Sequence, residues 1–255
     1  MRMRFAVLGT AIGVAIGVAA SQIRRWWKTW GVVPDEASRA LPGDELVPEP
    51  IAIETRGITI DAPPSAVWPW LVQMGYGRAG WYSYDQLDQR GSSADRIVPE
   101  WGTLAVGDIL PTHPGGGFEV AILEPDRALV VRSDTTLVRA QADAAAKSGN
   151  GIETATAGVQ ASGAILGSTP QDFSASWAFV LEPIGDRHTR LIERFRVWYG
   201  EDGPAAQFVM PFVGFGVFVM LQRQMTGIRA RAERLDASTS PADRRPAPTS
   251  EPVAS

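Results

Sequence analysis

Two long runs of strict alternation stand close together in the stretch "FSASWAFVLEPIGDRHTRLIERFRVWY", and they constrain the fold more than anything else in the chain. Phe173, Ala175, Trp177, Phe179 and Leu181 fall on one face of the first run. Leu191, Glu193, Phe195, Val197 and Tyr199 fall on one face of the second. A period of two is that of a half-buried strand. "EPIGDRHT" between the runs has the Pro, Gly and Asp of a hairpin loop, so the strands are antiparallel neighbours. Their aromatic inner face must be covered. Pro204 to Leu235 supplies the cover: it reads as one long helix, apolar all round from Phe208 to Leu221, then amphipathic with Arg223, Arg229, Arg231 and Arg234 toward water. Fourteen apolar residues from Phe208 to Leu221 are too few to span a bilayer. That helix packs on the sheet or lies along a membrane.

Upstream, "TRGITID" (Thr55 to Asp61) has the β-branched character of a strand, and Ala62-Pro63-Pro64-Ser65 opens a helix carrying Val67, Trp68, Trp70, Leu71 and Met74. Gly75 to Gly80 spells G-x-G-x-x-G, the dinucleotide fingerprint, but that motif must follow a strand and open a helix. Here the glycines close a helix and lead into Trp81-Tyr82-Ser83-Tyr84, so they read as a tight turn delivering an aromatic cluster. Phe118, Val120 and Ile122 alternate, and Leu129 to Arg132 continues as another short strand. Strand, helix, aromatic turn, antiparallel strands and long C-terminal helix make an α+β pattern, a curved antiparallel sheet around one helix.

The chain is 255 residues long and 45% hydrophobic, enough for a full core in a single domain. A net charge of -4 offers no basic face, so nucleic acid is not an expected partner. With no cysteine and only His113 and His188, both beside turn residues, no thiol chemistry, histidine metal cluster, other metal or cofactor is expected. Phe5 to Ile23 contains 19 uncharged residues, about 28 Å as a helix, which suits a membrane anchor. Gly9, Gly13 and Gly17 form a small-xxx-small face on which two such helices can pair as a homodimer. Trp26, Trp27 and Trp30 with Arg24, Arg25 and Lys28 suit the headgroup level. The competing reading is a cleaved signal peptide with Val18-Ala19-Ala20 before Ser21, which would give a secreted protein. For the anchor, the charge balance leans slightly toward a cytoplasmic body. The reading is therefore an anchor or signal over 1–23, a juxtamembrane linker over 24–50, a body over 51–235 and a disordered tail over 236–255. Ala140 to Gln171, rich in Ala, Gly, Ser and Thr, reads as a mobile insertion between strands.

"ITIDAPPSAVWPWLVQMGYGRAGWYSYDQLD", "RIVPEWGTLAVGDIL" and "TGIRARAE" resemble the START-like superfamily, also called SRPBCC, in its polyketide cyclase/dehydrase-like or lipid-transport-like branch. "WGVVPDEASRALPGDEL" is similar to the segment that joins a membrane anchor to this domain in actinobacterial members. The resemblance covers about residues 26 to 235. It implies a helix-grip fold with an internal cavity between sheet and C-terminal helix, suited to an apolar ligand such as a lipid, isoprenoid, quinone or polyketide. "LDQRG" and the 140–171 insertion depart from the pattern around the cavity mouth.

The expected ligand-binding residues are Trp70, Met74, Arg78, Trp81, Tyr82, Tyr84, Trp177, Phe179, Glu193, Phe195, Phe212 and Phe215. The aromatic ones either line the pocket or simply fill the core. Arg78 either neutralises an acidic head group or pairs with Asp85 or Asp88. Phe208, Phe212, Phe215 and Phe218 either wall the cavity or dip into the bilayer. Asp85 and Glu193 are the two weak catalytic candidates: Asp85 is a general base or a helix cap, and Glu193 is paired with an arginine on an adjacent strand or free to meet ligand. Binding of a hydrophobic small molecule is the first expectation, a cyclase or dehydrase the second, and a cavity filled by the protein's own side chains the third.

Overall fold

The computed structural model describes residues 21–88, 91–147, 172–200 and 204–239, the side chains of 88 and 204–213 excepted. In chain order the elements are α1 (21–28), α2 (Pro34–Ser38), β1 (Ala52–Ile60), α3 (Pro64–Gln73), α4 (Asp85–Asp88), β2 (Ile109–His113), β3 (Gly116–Glu124), β4 (Ala128–Asp134), α5 (Thr135–Lys147), β5 (Phe173–Ile184), β6 (His188–Tyr199) and α6 (Pro204–Thr239). The six strands form one antiparallel sheet in the order β1-β6-β5-β4-β3-β2. With α3 and α6 packed together over one face, the architecture is α+β and consistent with a helix grip. The hairpin is tighter than the sequence implies: pairing runs to Ile184 opposite His188, and Gly185 at φ 59 supplies the left-handed turn residue.

Side chains of β5 are buried on both faces, which alternation alone does not predict. The inner face, with Trp177, Phe179 and Leu181, joins Ile58, Ile60, Leu129, Val131 and Leu191 under α3 and α6. The outer face, with Ala178 and Val180, packs with Val130, Ile192 and Leu41. Leu41 belongs to the segment expected as a linker over 24–50; its part from Pro34 to Val47 is fastened across the outside of the sheet. Arg190 bonds both oxygens of Glu36, Arg194 donates to Asp44 and to the carbonyls of Glu36 and Arg39, and Arg196 donates to the Val47 carbonyl. Three arginines on the outer side of β6 thus hold a polar strap that contributes one side of the core.

The glycines of the 75–80 motif have the role expected of them. Gly75, at φ 129, leaves the helix α3, and Gly75 and Gly80 exchange both backbone hydrogen bonds to reverse the chain. Trp81 and Tyr82 follow directly into the core. At Gly227 on α6 a Cβ would lie 2.2 Å from the Tyr82 carbonyl oxygen, so glycine lets the helix press against this turn. Gly214 and Gly216, which suggest flexibility in the sequence, differ in role: a Cβ on Gly214 would meet the Trp27 ring at 2.4 Å, whereas Gly216 faces open space.

Of the expected insertion, residues 140–147 belong to the helix α5, whose Gln141 bonds the backbone of Gly117 on β3. Residues 148–171 lie outside the described residues, as do 240–255 and 1–20 with Gly9, Gly13 and Gly17. Among the described residues no helix is long and apolar enough to cross a membrane.

Candidate functional site

The register places three charged side chains on the inner face. Arg56 of β1 stands opposite Glu193 of β6, and Glu193 stands opposite Phe179 of β5. Glu54, two residues before Arg56, shares its side of β1 and forms an ion pair with Arg56 Nη2. Arg56 and Glu193 are both fully buried. Directly opposed strand residues hold their Cβ atoms about 4.5–5.5 Å apart, so the two charges sense each other.

Each is only partly satisfied. Trp177 Nε1 donates to Glu193 Oε1 at 2.7 Å, while Glu193 Oε2 has no hydrogen-bond partner. Nε and Nη1 of Arg56 have none either, although the guanidinium lies 5.7 Å from the Phe218 ring centroid. Each buried polar group left unpaired costs about 1–3 kcal/mol, and most buried groups find a partner. Burial pushes the Glu193 carboxyl up; Arg56 and the Trp177 bond act the other way, and Glu54 adds to the rise.

Aromatic rings surround this centre. Trp177 stacks on Trp81 with centroids 5.5 Å apart, and meets Phe118 at 6.0 Å and Phe179 at 4.8 Å. Phe195 is half-buried against the same cluster. Toward α3 and α6, Trp70 packs edge-on against Tyr82 at 5.8 Å, and the Tyr82 hydroxyl donates to the Trp70 carbonyl while accepting from Gln73. Burial raises the Tyr82 hydroxyl's pKa, so it stays protonated and bonded. Gln224 of α6 donates to Met74 Sδ at 3.8 Å; its Oε1 and the Trp70 Nε1 are two more buried groups without partners.

Of the residues singled out in the sequence, Trp70, Met74, Trp81, Tyr82, Trp177 and Phe179 sit in this buried cluster, with Glu193 bonded to it and Phe195 packed against it. Four others are placed differently. Tyr84 is 42% exposed and Phe215 47% exposed, the latter meeting Trp27 and Phe218. Arg78 Nη2 donates to the carbonyls of Val72 and Trp101, fixing the glycine turn, and the Asp88 side chain lies outside the described residues. Asp85 begins α4 and accepts from Ser93 Oγ, which in turn accepts from the Tyr82 amide, so it braces the turn. The side chain of Phe212 lies outside the described residues.

Trp27 is 4% exposed and packs against Phe218 and Gly214. Sequence reasoning missed Arg56, Glu54 and Gln224. The E-x-R spacing in "ETRGITI" carried the signal, since a period of two puts both charges on one face of a strand whose partner residue is itself a carboxylate. Among the described residues no group of His, Asp and Glu is set to hold a metal ion.

No family model matches the chain, and no curated protein matches it in sequence. Solved structures similar in shape include a hypothetical protein of Helicobacter pylori (11% identity, 79% of this chain and 99% of that one, TM-score 0.43). An aromatase/cyclase of a Streptomyces species is similar at 10% identity over 75% of this chain and 98% of that one, TM-score 0.28. A Polyketide_cyc-like protein of Corynebacterium glutamicum shows 16% identity over 72% and 88%, TM-score 0.26. With TM-scores below 0.5 these similarities add nothing to what the chain's own strand order and side chains establish.

Proposed function

We propose that this protein binds a hydrophobic small molecule against the inner face of its sheet, with the ligand's polar end at Arg56 and Glu193. The supporting observation is the group of unpartnered polar atoms there, Arg56 Nε and Nη1 with Glu193 Oε2, set among aromatic rings. Few specific polar groups in an apolar wall are the usual make-up of a ligand site. The charge balance narrows the ligand. Arg56 is already paired with Glu54, and burial pushes the Glu193 carboxyl upward, so the centre does not present an unpaired cation. It offers N–H donors and a carboxyl that accepts or donates. A hydroxyl or carbonyl oxygen on an apolar body fits this better than a carboxylate or an amine, each of which would bring an unbalanced charge into a dry site.

The uncharged run from Phe5 to Ile23 supports a tether that keeps this site near bilayer-dissolved ligand, and we place the body on the cytoplasmic side. Native mass spectrometry of the full chain released from detergent micelles tests the binding reading. One added small-molecule mass supports it; a chain that carries only detergent or a mixture of adducts opposes it.

One observation favours a second reading, an enzyme of the cyclase or dehydrase kind. A buried carboxyl with a raised pKa and a free oxygen is equipped to exchange a proton with a bound carbonyl compound. Conversion of the molecule found on the wild-type chain, abolished in Glu193→Gln with binding retained, would establish it; retained conversion would remove Glu193 from any such role.

A further inference from the structure

α1 and the start of the described part of α6 meet at one end of the sheet, and they leave apolar surface open there. Trp26 lies 5.4 Å from Phe218, and Phe215 lies 6.0 Å from the same ring, so both flank one side chain. Trp26 is 54% exposed and Phe215 47%. Ile23, one turn before Trp26 on the same face of α1, is 58% exposed, and Val217 is 41% exposed. Arg24 and Arg25 lie within the same helix and are exposed. Beneath the patch, Phe218 is buried and touches the Arg56 guanidinium, the charged centre of the inner face. The open apolar surface and the polar site are thus separated by one phenylalanine and the Trp27 and Trp30 rings beside it.

We propose that this patch docks on the surface of an anionic lipid bilayer, and that ligand passes between α1 and α6, past Phe218, directly from the lipid. Three observations favour lipid over other occupants. The exposed residues begin where the uncharged run Phe5 to Ile23 ends, so any membrane holding that run is at the patch. Phe215 and Val217 belong to a 14-residue uncharged stretch of the sequence, Phe208 to Leu221. Two exposed arginines beside exposed tryptophan, isoleucine and phenylalanine are the composition of a segment seated among headgroups. The proposal rests on the membrane-tethered reading given above, and adds to it a fixed orientation and a route.

The orientation is set by α6. Its other end is held at the opposite end of the sheet, where Glu233 accepts from the Asp61 amide and Asp61 pairs with His188 of the hairpin. Phe218 to Glu233 spans about 22 Å of helix. Ile184 at that hairpin, 48% exposed, should therefore stand in water when Val217 is in lipid.

The absence of cysteine makes single-site labelling direct. Full-length Val217→Cys and Ile184→Cys, each carrying a nitroxide, are reconstituted into vesicles of phosphatidylcholine and phosphatidylglycerol, and collision with oxygen and with a water-soluble nickel chelate is measured. The proposal expects the 217 label to favour oxygen several-fold relative to the 184 label, at a depth of about 5–10 Å. Flotation of the chain with the vesicles but equal nickel access at both sites overturns the docking while leaving the tether intact. Shielding of the 217 label from both reagents assigns the patch to a second copy and overturns it too. A chain that does not float with the vesicles defeats tether and docking together, with adduct formation in native mass spectrometry still reporting separately on the binding site.

Discussion

The hydrogen bond from Trp177 to Glu193 offers a quantitative test of the buried polar centre. In Trp177→Phe the carboxyl loses its one donor and stays fully buried, which costs about 1–3 kcal/mol. The stacked contact with Trp81 at 5.5 Å also weakens, a further cost of about 0.5–1.5 kcal/mol. The expected destabilisation is about 3 kcal/mol. In Glu193→Met the indole N–H is left unpaired, but a buried carboxyl disappears, so the loss is only about 1 kcal/mol. The double variant has neither orphan and retains only the packing defect. It should be about 3 kcal/mol more stable than the two single losses added together. Urea unfolding of the full chain in mild detergent, followed by far-ultraviolet circular dichroism, gives all four corners of the cycle. Additivity to within about 0.4 kcal/mol would refute the reasoning, because it would mean that the two groups do not interact in the folded protein.

Three further outcomes follow from individual contacts. Because burial raises the Glu193 pKa, its contribution to stability is full below the unfolded value near 4.5 and is lost as pH rises through the folded value. Glu193→Gln, which keeps the acceptor for Trp177, should therefore match wild type at acid pH and exceed it progressively above, in melting temperatures; a pH-independent difference would contradict this. Gly227→Ala drives a Cβ to 2.2 Å from the Tyr82 carbonyl and should cost about 1–3 kcal/mol, whereas Gly216→Ala, in open space on the same helix, should gain up to about 1 kcal/mol in the same urea assay. Arg194→Met leaves the Glu36 and Arg39 carbonyls of the strap without their donor and Asp44 with only the Leu41 amide and Arg196; a loss of about 3–5 kcal/mol and faster proteolysis between residues 34 and 47 are expected, and an unchanged digestion rate would mean the strap is held by its remaining contacts.

The hairpin, the α3 helix, the aromatic turn and α6 were all legible because local periodicity and glycine or proline placement decide them. The strap was not. Pro34 to Val47 is polar, short in regular structure and rich in Pro and Gly, and its partners Arg190, Arg194 and Arg196 lie far along the chain. Alternation marked those arginines as outward-facing, which is correct, yet outward here means under the strap. Much of α5 fell in the stretch read as a mobile insertion, although alanine is the best helix former; Gln141 anchors the helix to β3.

At the site, alternation put Glu193 on the right face, and the expectation of an arginine on the neighbouring strand is met in part: Arg56 stands opposite but bonds Glu54 instead. The competition between two carboxylates for one guanidinium depends on register, which no local pattern encodes. Tyr84 and Phe215 were drawn into the expected site by residue type alone. Their exposure reflects which side of a turn and of a helix they occupy, which residue type does not encode.

The claim that the inner face holds a ligand by its polar end is tested most directly by organic extraction and mass spectrometry of the full chain, prepared in parallel as wild type and as the double variant Arg56→Met, Glu54→Gln. Removing the ion pair together avoids an uncompensated buried charge, so the variant should fold. The account predicts one hydroxyl- or carbonyl-bearing apolar species in near-stoichiometric amount on the wild type and its loss from the folded variant. The same species at the same occupancy on both, or none on the wild type, would contradict it.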